Sequence, residues 1–289
     1  MSDALKGQVA IVTGGGRGFG QEIAKGLAAA GAAVTVTSRT ASQLDETVAA
    51  IEAGGGRAVA VPGDVALQTD WDRVVAETEA KLGPITLLVS NAALSDPAGP
   101  LYEIDADVWQ RTLEVNVMGA VRGARAVLPG MVQRRSGRVI IVSSGAALAA
   151  GPYTSPYRVS KTALLRLAEI MALEVKDFGV SVFSIHPGVI SSTMHHSATM
   201  TEAGRKYIPH FAEMAQRGAT DIRLAAKCCV FLASGQADAL SGRYLSATED
   251  FEELARRADE VRERDLQVLR LTPLVPPRMG APQGSAQRP

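Results

Sequence analysis

Three side chains near the middle of the chain have the types and spacing to move a proton. Tyr157 and Lys161 stand four residues apart, so on a helix they share one face. Ser144 lies thirteen residues before Tyr157, just past the apolar run at 139–142. A free phenol has a pKa of about 10 and is a poor base at neutral pH; positive charge beside it lowers that value. A phenol, an ammonium and a hydroxyl converging on one point would serve an acid/base step at an oxygen atom. The Tyr–Lys spacing alone is common. Its weight comes from a serine at the C-terminal end of a strand just upstream, where parallel sheets open onto ligands.

A second cluster suits an anion. The run from Thr13 to Gly20, with Gly14, Gly16, Arg17, Gly18, Phe19 and Gly20, follows one apolar run and opens a helical pattern. Glycines permit positive φ and remove the Cβ that would block a pyrophosphate, and a helix N-terminus presents free N–H groups to it. Strand, loop and helix in that order are the context a dinucleotide-binding turn requires. At the end of the second strand an NAD site places a carboxylate for the ribose 2′-OH. Here Ser38-Arg39 stands instead. Arginine attracts a 2′-phosphate and can bind it bidentately, with Arg17 on the other side. NADP(H) is the expected preference, with NAD(H) as the alternative.

The elements that must position these groups are legible as alternation. Short β-branched runs at 9–13, 34–37, 58–61, 87–90, 139–142, 180–185 and 243–246 are separated by helical patterns at 21–30, 41–53, 71–82, 108–131 and 160–178. Near-continuous apolar strands between helices predict an α/β fold: a doubly wound parallel sheet of seven strands with helices on both faces. Residues 1–246 form this domain. The stretch 193–220, with Met194, Met200, Tyr207, Phe211 and Met214, breaks the alternation beyond strand six and is read as a substrate lid; ordinary helical packing is the other reading. A helical extension over 247–271 follows, starting at about Thr248 after a capping box at Ser246-Ala247-Thr248-Glu249 and carrying the stripe Phe251, Leu254, Ala258, Val261. Residues 272–289, rich in Pro, Gly, Ser and Gln, are expected to be a disordered tail.

On these residues the chain resembles the short-chain dehydrogenase/reductase family, over roughly residues 5 to 246. The matching segments are Thr13 to Gly20, Asp64-Val65, Asn91-Ala92-Ala93, Asn116, Ser144, Tyr157-Arg158-Val159-Ser160-Lys161 and Pro187-Gly188. The resemblance implies a Rossmann fold and an NAD(P)-dependent oxidoreductase, a ketoreductase interconverting a ketone and a secondary alcohol. It implies that Tyr157 is the general acid/base, that Lys161 holds the nicotinamide ribose and supplies charge to Tyr157, and that Ser144 stabilises the substrate oxygen. Asn116 would hold a water joining Lys161 to solvent. Asp64 and Val65 would meet the adenine, Asn91 and Ala92 would line the adenosine side, and Pro187, Gly188 and Ile190 would frame the nicotinamide. Ser192, where the family usually has Thr, would bond the carboxamide or a phosphate. Assembly as a homodimer or homotetramer through the helices at 108–131 and 157–178 is also implied. The chain departs from the family at Ser90-Asn91-Ala92-Ala93, which replaces Asn-Asn-Ala-Gly, and after Ser246.

Composition narrows the partners. Thirty basic residues balance thirty acidic ones in 289, so no whole-chain field favours nucleic acid or a membrane surface; a small-molecule carbonyl or alcohol in a pocket is the expected partner. The cysteines, Cys228 and Cys229, are adjacent, which argues for buried packing and against a disulfide framework. Residues 1–8 carry no apolar stretch, and cytoplasmic residence is the expectation. His186, His195, His196 and His210 lack a completing carboxylate or thiolate, so no metal is expected; His186 would pack beneath the nicotinamide loop. Two other functions stay open: a nucleotide-sensing regulator without turnover, and an epimerase or dehydratase that uses bound NAD transiently.

Overall fold

The structure is a computed structural model and describes residues 3–189, 201–209 and 220–271. Seven strands form one sheet in the order β3-β2-β1-β4-β5-β6-β7, every neighbouring pair parallel. They are β1 (Val9–Thr13), β2 (Ala33–Thr37), β3 (Arg57–Ala60), β4 (Leu87–Ser90), β5 (Gly137–Val142), β6 (Val180–His186) and β7 (Tyr244–Ser246). The helices between them are α1 (Gly18–Ala29), α2 (Ala41–Ala53), α3 (Gln68–Leu82), α4 (Ala106–Leu113), α5 (Gly119–Arg134) and α6 (Ser155–Val175). Strand order reverses between β1 and β4, so the loops leaving those two strands diverge and open a crevice.

Both faces of the sheet are covered, which is why its strands read as unbroken apolar runs. Ala10 and Val12 of β1 belong to the core shared with Ile23 and Leu27 of α1 and with the buried Cys228 and Cys229 of the helix Arg223–Ala233. Val9 and Ile11 belong to the opposite core, with Trp71 of α3, Val127 and Met131 of α5 and Leu164 of α6. Helices α3 and α5 approach closely because Gly123 faces the Trp71 indole; a Cβ there would stand 2.6 Å from the ring.

Three local features differ from the sequence reading. Helix α6 starts at Ser155 instead of near 160, because Pro156 sits in the first turn, where its missing N–H is not needed. The 108–131 helix is broken by a π turn at Glu114–Met118. The extension is not one helix from Thr248: it is two short ones, Phe251–Arg256 and Ala258–Glu263. Asp250 caps the first by accepting from Glu253 N at 2.8 Å, while Ser246 Oγ bonds Thr248 instead. A carboxylate next to the helix start outcompetes the more distant hydroxyl.

The apolar stripe of the extension does pack as read, with Phe251 5.3 Å from Phe231 and with Ala258 and Val261 buried. The chain then returns to the sheet edge. Tyr244 N donates to Gln267 O at 2.9 Å, Arg166 Nη2 donates to Leu269 O at 2.8 Å, and Leu269 packs on Ala147, Leu165 and Tyr244. The expected tail at 272–289 lies outside the described residues, as does most of the proposed lid.

Candidate active site

The glycine loop leaves β1 and enters α1 at Gly18. Gly14 and Gly18 have φ of +64° and +56°. At Gly20 a Cβ would fall 2.5 Å from Asn91 Nδ2 and closer still to the Gly14 carbonyl oxygen, so a side chain there would force the turn open. Asn91 braces this turn from β4: its Nδ2 donates to Thr13 O at 2.9 Å, and Thr13 Oγ1 accepts from Asn91 N and Ala92 N. Asn91 and Ala92 therefore shape the crevice from beneath. For the Gly20→Ala variant the expected overpacking cost is about 1–3 kcal/mol. It should appear as a melting point several degrees lower and a raised dissociation constant for the dinucleotide.

These groups fit a dinucleotide phosphate by criteria internal to the chain. The first N–H groups of α1 have no side-chain cap, and Ser38 Oγ is buried without a hydrogen-bond partner among the described residues. Arg17 and Arg39 are exposed and belong to no ion pair shown among the described residues. Asp64 follows β3; it accepts from Ala66 N at 2.9 Å and pairs with Arg111 at 2.8 Å. Val65 packs on Gly119, and its carbonyl accepts from Trp71 Nε1 at 3.0 Å. At the far side Gly188 has φ of +99°, next to Pro187, and Val189 exchanges two bonds with Thr220: Val189 N to Thr220 Oγ1 at 3.0 Å and Thr220 N to Val189 O at 2.7 Å. The two ends of the 190–219 insert are thereby pinned together. Ile190 and Ser192, and with them Met194, Met200, His195, His196, His210, Phe211 and Met214, lie outside the described residues.

The structure brings Ser144, Tyr157 and Lys161 together at the C-terminal end of β5. Ser144 Oγ accepts from Ala146 N at 3.1 Å, which leaves its own proton for a further acceptor, and it lies close enough to the Tyr157 phenol to pull its pKa down. Lys161 Nζ is 5.6 Å from the Tyr157 ring centre and donates to Val142 O at 2.8 Å. Lys161 is 3% exposed, and burial brings its ammonium down to about 7. Burial also raises the Tyr157 phenol above its ordinary value, while the Ser144 bond and the Arg158 charge pull it down. Among the described residues burial is the largest influence on the phenol, followed by the Ser144 bond and the Arg158 charge.

Asn116 lies in the π turn and is buried. Its Nδ2 donates to Leu94 O and Ser160 Oγ, both at 2.9 Å, and its Oδ1 accepts from Leu94 N at 2.7 Å. Both side-chain donors are occupied by protein, so the side chain braces the loop after β4 against α6. His186 lies beneath Ser144: its Nδ1 accepts from Gly145 N at 3.2 Å, and burial lowers its pKa. The short helix Glu202–Tyr207 of the insert docks nearby, with Tyr207 OH on Glu103 Oε2 at 2.6 Å and its ring 5.1 Å from Tyr153. The His186 and Tyr207 contacts join segments far apart in sequence, and no spacing signals them.

No group of three His, Cys, Asp or Glu side chains able to hold a metal occurs among the described residues, and no helix among them is long and apolar enough to cross a membrane.

Known proteins resemble this arrangement. The family profile for short chain dehydrogenases matches residues 8–203. A short chain dehydrogenase of Pseudocercospora fijiensis is 34% identical over 263 residues, 89% of this chain and 85% of that protein. The human dehydrogenase/reductase SDR family member 4 is 38% identical over 191 residues, 66% of this chain and 69% of its own length. Among solved structures, a 7α-hydroxysteroid dehydrogenase complexed with NADH and 7-oxo glycochenodeoxycholic acid superposes with a TM-score of 0.76 at 28% identity, covering 84% of this chain and 93% of its own.

Proposed function

The chain belongs to the short-chain dehydrogenase/reductase family of nicotinamide-dependent oxidoreductases, and from that premise we propose that it interconverts a small-molecule ketone and a secondary alcohol, with Tyr157 as general acid/base. One observation carries the reading: the Ser144 hydroxyl meets the Tyr157 phenol beside a buried lysine on the same helical face. When bound, the nicotinamide supplies or accepts the hydride.

In the reducing direction the substrate oxygen sits between Tyr157 and Ser144. The Ser144 O–H donates to it and stabilises charge as it develops. The Tyr157 O–H transfers its proton, so carbonyl, hydride and proton become the alcohol. A phenol raised by burial is protonated at neutral pH, which suits the acid role. Lys161, at about 7, holds a proton it can release near neutral pH and so can reprotonate Tyr157. Its remaining N–H donors would hold the nicotinamide ribose. Pro187 and Gly188 would flank the nicotinamide, with Ile190 and Ser192 as further contacts, and Asp64 and Val65 would meet the adenine. A panel of ketones, followed by dinucleotide oxidation, tests the reaction; turnover of none of them would remove it.

The cofactor we propose is NADP(H). Support comes from the Ser38 hydroxyl, buried with no hydrogen-bond partner among the described residues, and from the exposed Arg39, both just past β2 where an NAD site places a carboxylate; the similar hydroxysteroid dehydrogenase carries NADH. Losing a charge-assisted contact of about 1.5–3 kcal/mol should raise the KM for NADPH roughly 10- to 100-fold in Arg39→Ala, with the KM for NADH little changed. An equal KM for NADPH in both proteins would reassign the enzyme to NAD(H).

We also propose self-association. Met118 at the start of α5 and Ile170 and Leu173 on α6 are exposed apolar residues, and sedimentation of Leu173→Glu against the parent tests whether they form the interface.

A further inference from the structure

The loop between β5 and α6 carries Ser144 at its start and delivers the chain to Tyr157 at its end. One side chain ties it back onto the helix. Arg158 Nη1 donates to Ala149 O at 2.7 Å and, at 3.4 Å, to Ala146 O. Its Nε donates to Thr154 Oγ1 at 3.0 Å. Gly151 lies flat against the guanidinium, where a Cβ would stand 2.5 Å from Arg158 Cζ. The guanidinium holds its donors in a fixed plane, so Nη1 reaches the two loop carbonyls while Nε stays on Thr154 at the helix start. Helix α6 adds one more tie, Thr162 Oγ1 to Ala147 O at 3.1 Å.

We propose that Arg158 is a positioning residue that clamps the 145–151 loop onto the first turn of α6 and so sets the distance between Ser144 and Tyr157. The proposal rests on the reading of Ser144 and Tyr157 as the reacting pair. The clamp and the acid/base group are adjacent residues on one turn, so any shift of that turn carries both. The other ties lie at the start of the loop, where Gly145 N bonds His186 and Ala147 packs on Leu165 and Tyr244; past them Leu148 is 56% exposed, and the Arg158 bond to Ala149 O holds the chain. Without the guanidinium the carbonyls of Ala146 and Ala149 turn to water, and Ser144 loses its register with the phenol. The Arg158 charge acts on the same phenol in the direction that eases its ionisation.

The test uses the full chain with Arg158→Met, Arg158→Lys and Gly151→Ala. The expected result for Arg158→Met is a kcat about 10- to 100-fold lower, the scale of a misplaced reacting group, with the KM for the dinucleotide within about two-fold of the parent. Hydrogen exchange should be faster at the amides of residues 146–148 and unchanged in β1 and α1. Arg158→Lys, which keeps the charge but gathers its donors on one nitrogen, should fall between the parent and Arg158→Met on both readouts. Gly151→Ala, which pushes the guanidinium off Ala149, should move in the same direction as Arg158→Met even if that variant folds poorly. Parental kcat and parental exchange in Arg158→Met, or in Gly151→Ala, would overturn the assignment. Should the parent turn over no ketone, the functional reading fails and the exchange measurement still decides the clamp. Should Tyr157→Phe abolish turnover while Arg158→Met keeps it, the clamp fails alone.

Discussion

Tyr157→Phe should lower kcat by about 10²- to 10⁴-fold, the range over which a positioned general acid contributes, while leaving the fold and the dinucleotide affinity in place. The substitution removes only the phenol oxygen. Among the described residues the phenol faces Ser144, whose hydroxyl keeps its bond from Ala146 N at 3.1 Å. The ring stays near Lys161, 5.6 Å away in the parent. The measurement is turnover against the most active ketone, paired with nicotinamide fluorescence titration. Equal turnover in the two proteins would remove Tyr157 from the chemistry and favour a nucleotide sensor on this fold. An unchanged affinity beside lost turnover separates the acid from the binding crevice, because the crevice is built from Gly14 to Gly20, Asn91 and Gly188, none of which touches the phenol oxygen.

Lys161→Met should stabilise the chain near pH 7 and flatten its pH dependence. In the unfolded chain the ammonium titrates near 10.5, and in the folded chain burial brings it down to about 7. Between those values the unfolded state binds more protons, so stability rises with pH across that window. Below about 7 both states are protonated and the full penalty of burying the charge applies; above about 10.5 it is absent. The single bond from Nζ to Val142 O does not compensate for that burial. By linkage the penalty is on the order of 3–5 kcal/mol. Denaturant titrations of parent and variant at pH 6.5 and 9.5 should show a gap that narrows at the higher value. A constant gap would mean that Lys161 stays protonated in the fold throughout. Turnover of Lys161→Met is expected to be lost even as stability rises, a cost characteristic of groups held for function.

The sheet and the site were legible in the sequence to different depths. The helix read at 41–53 and the apolar strands follow from periodicity, which is a local property of the chain. The glycine run could be assigned because a strand precedes it and a helix follows, and Ser144, Tyr157 and Lys161 because one helical turn and one strand end bring them together. Helix α6 begins at Ser155, ahead of the run read at 160–178, with Pro156 in the first turn where its missing N–H is not needed. Asp250, not Ser246, caps the extension, a choice made by where the chain packs onto Phe231 and its neighbours. The bonds of Asn116 to Leu94 and Ser160 and the burial of Lys161 were not legible for one reason: burial and hydrogen-bond partners are set by segments distant in sequence.

By itself, then, the sequence determined the order of elements, the glycine turn after β1 and the grouping of Ser144, Tyr157 and Lys161, because each depends on residue type and on spacing within a few turns. Tertiary structure alone decided that Asn116 bonds Leu94 and Ser160, that His186 supports Gly145, that Tyr207 meets Glu103, and that Arg158 holds the loop carrying Ser144. Those pairings depend on how helices and loops approach across the sheet, where small shifts in packing choose which donor finds which acceptor. The same approach buries Lys161 and so sets the charge balance at Tyr157.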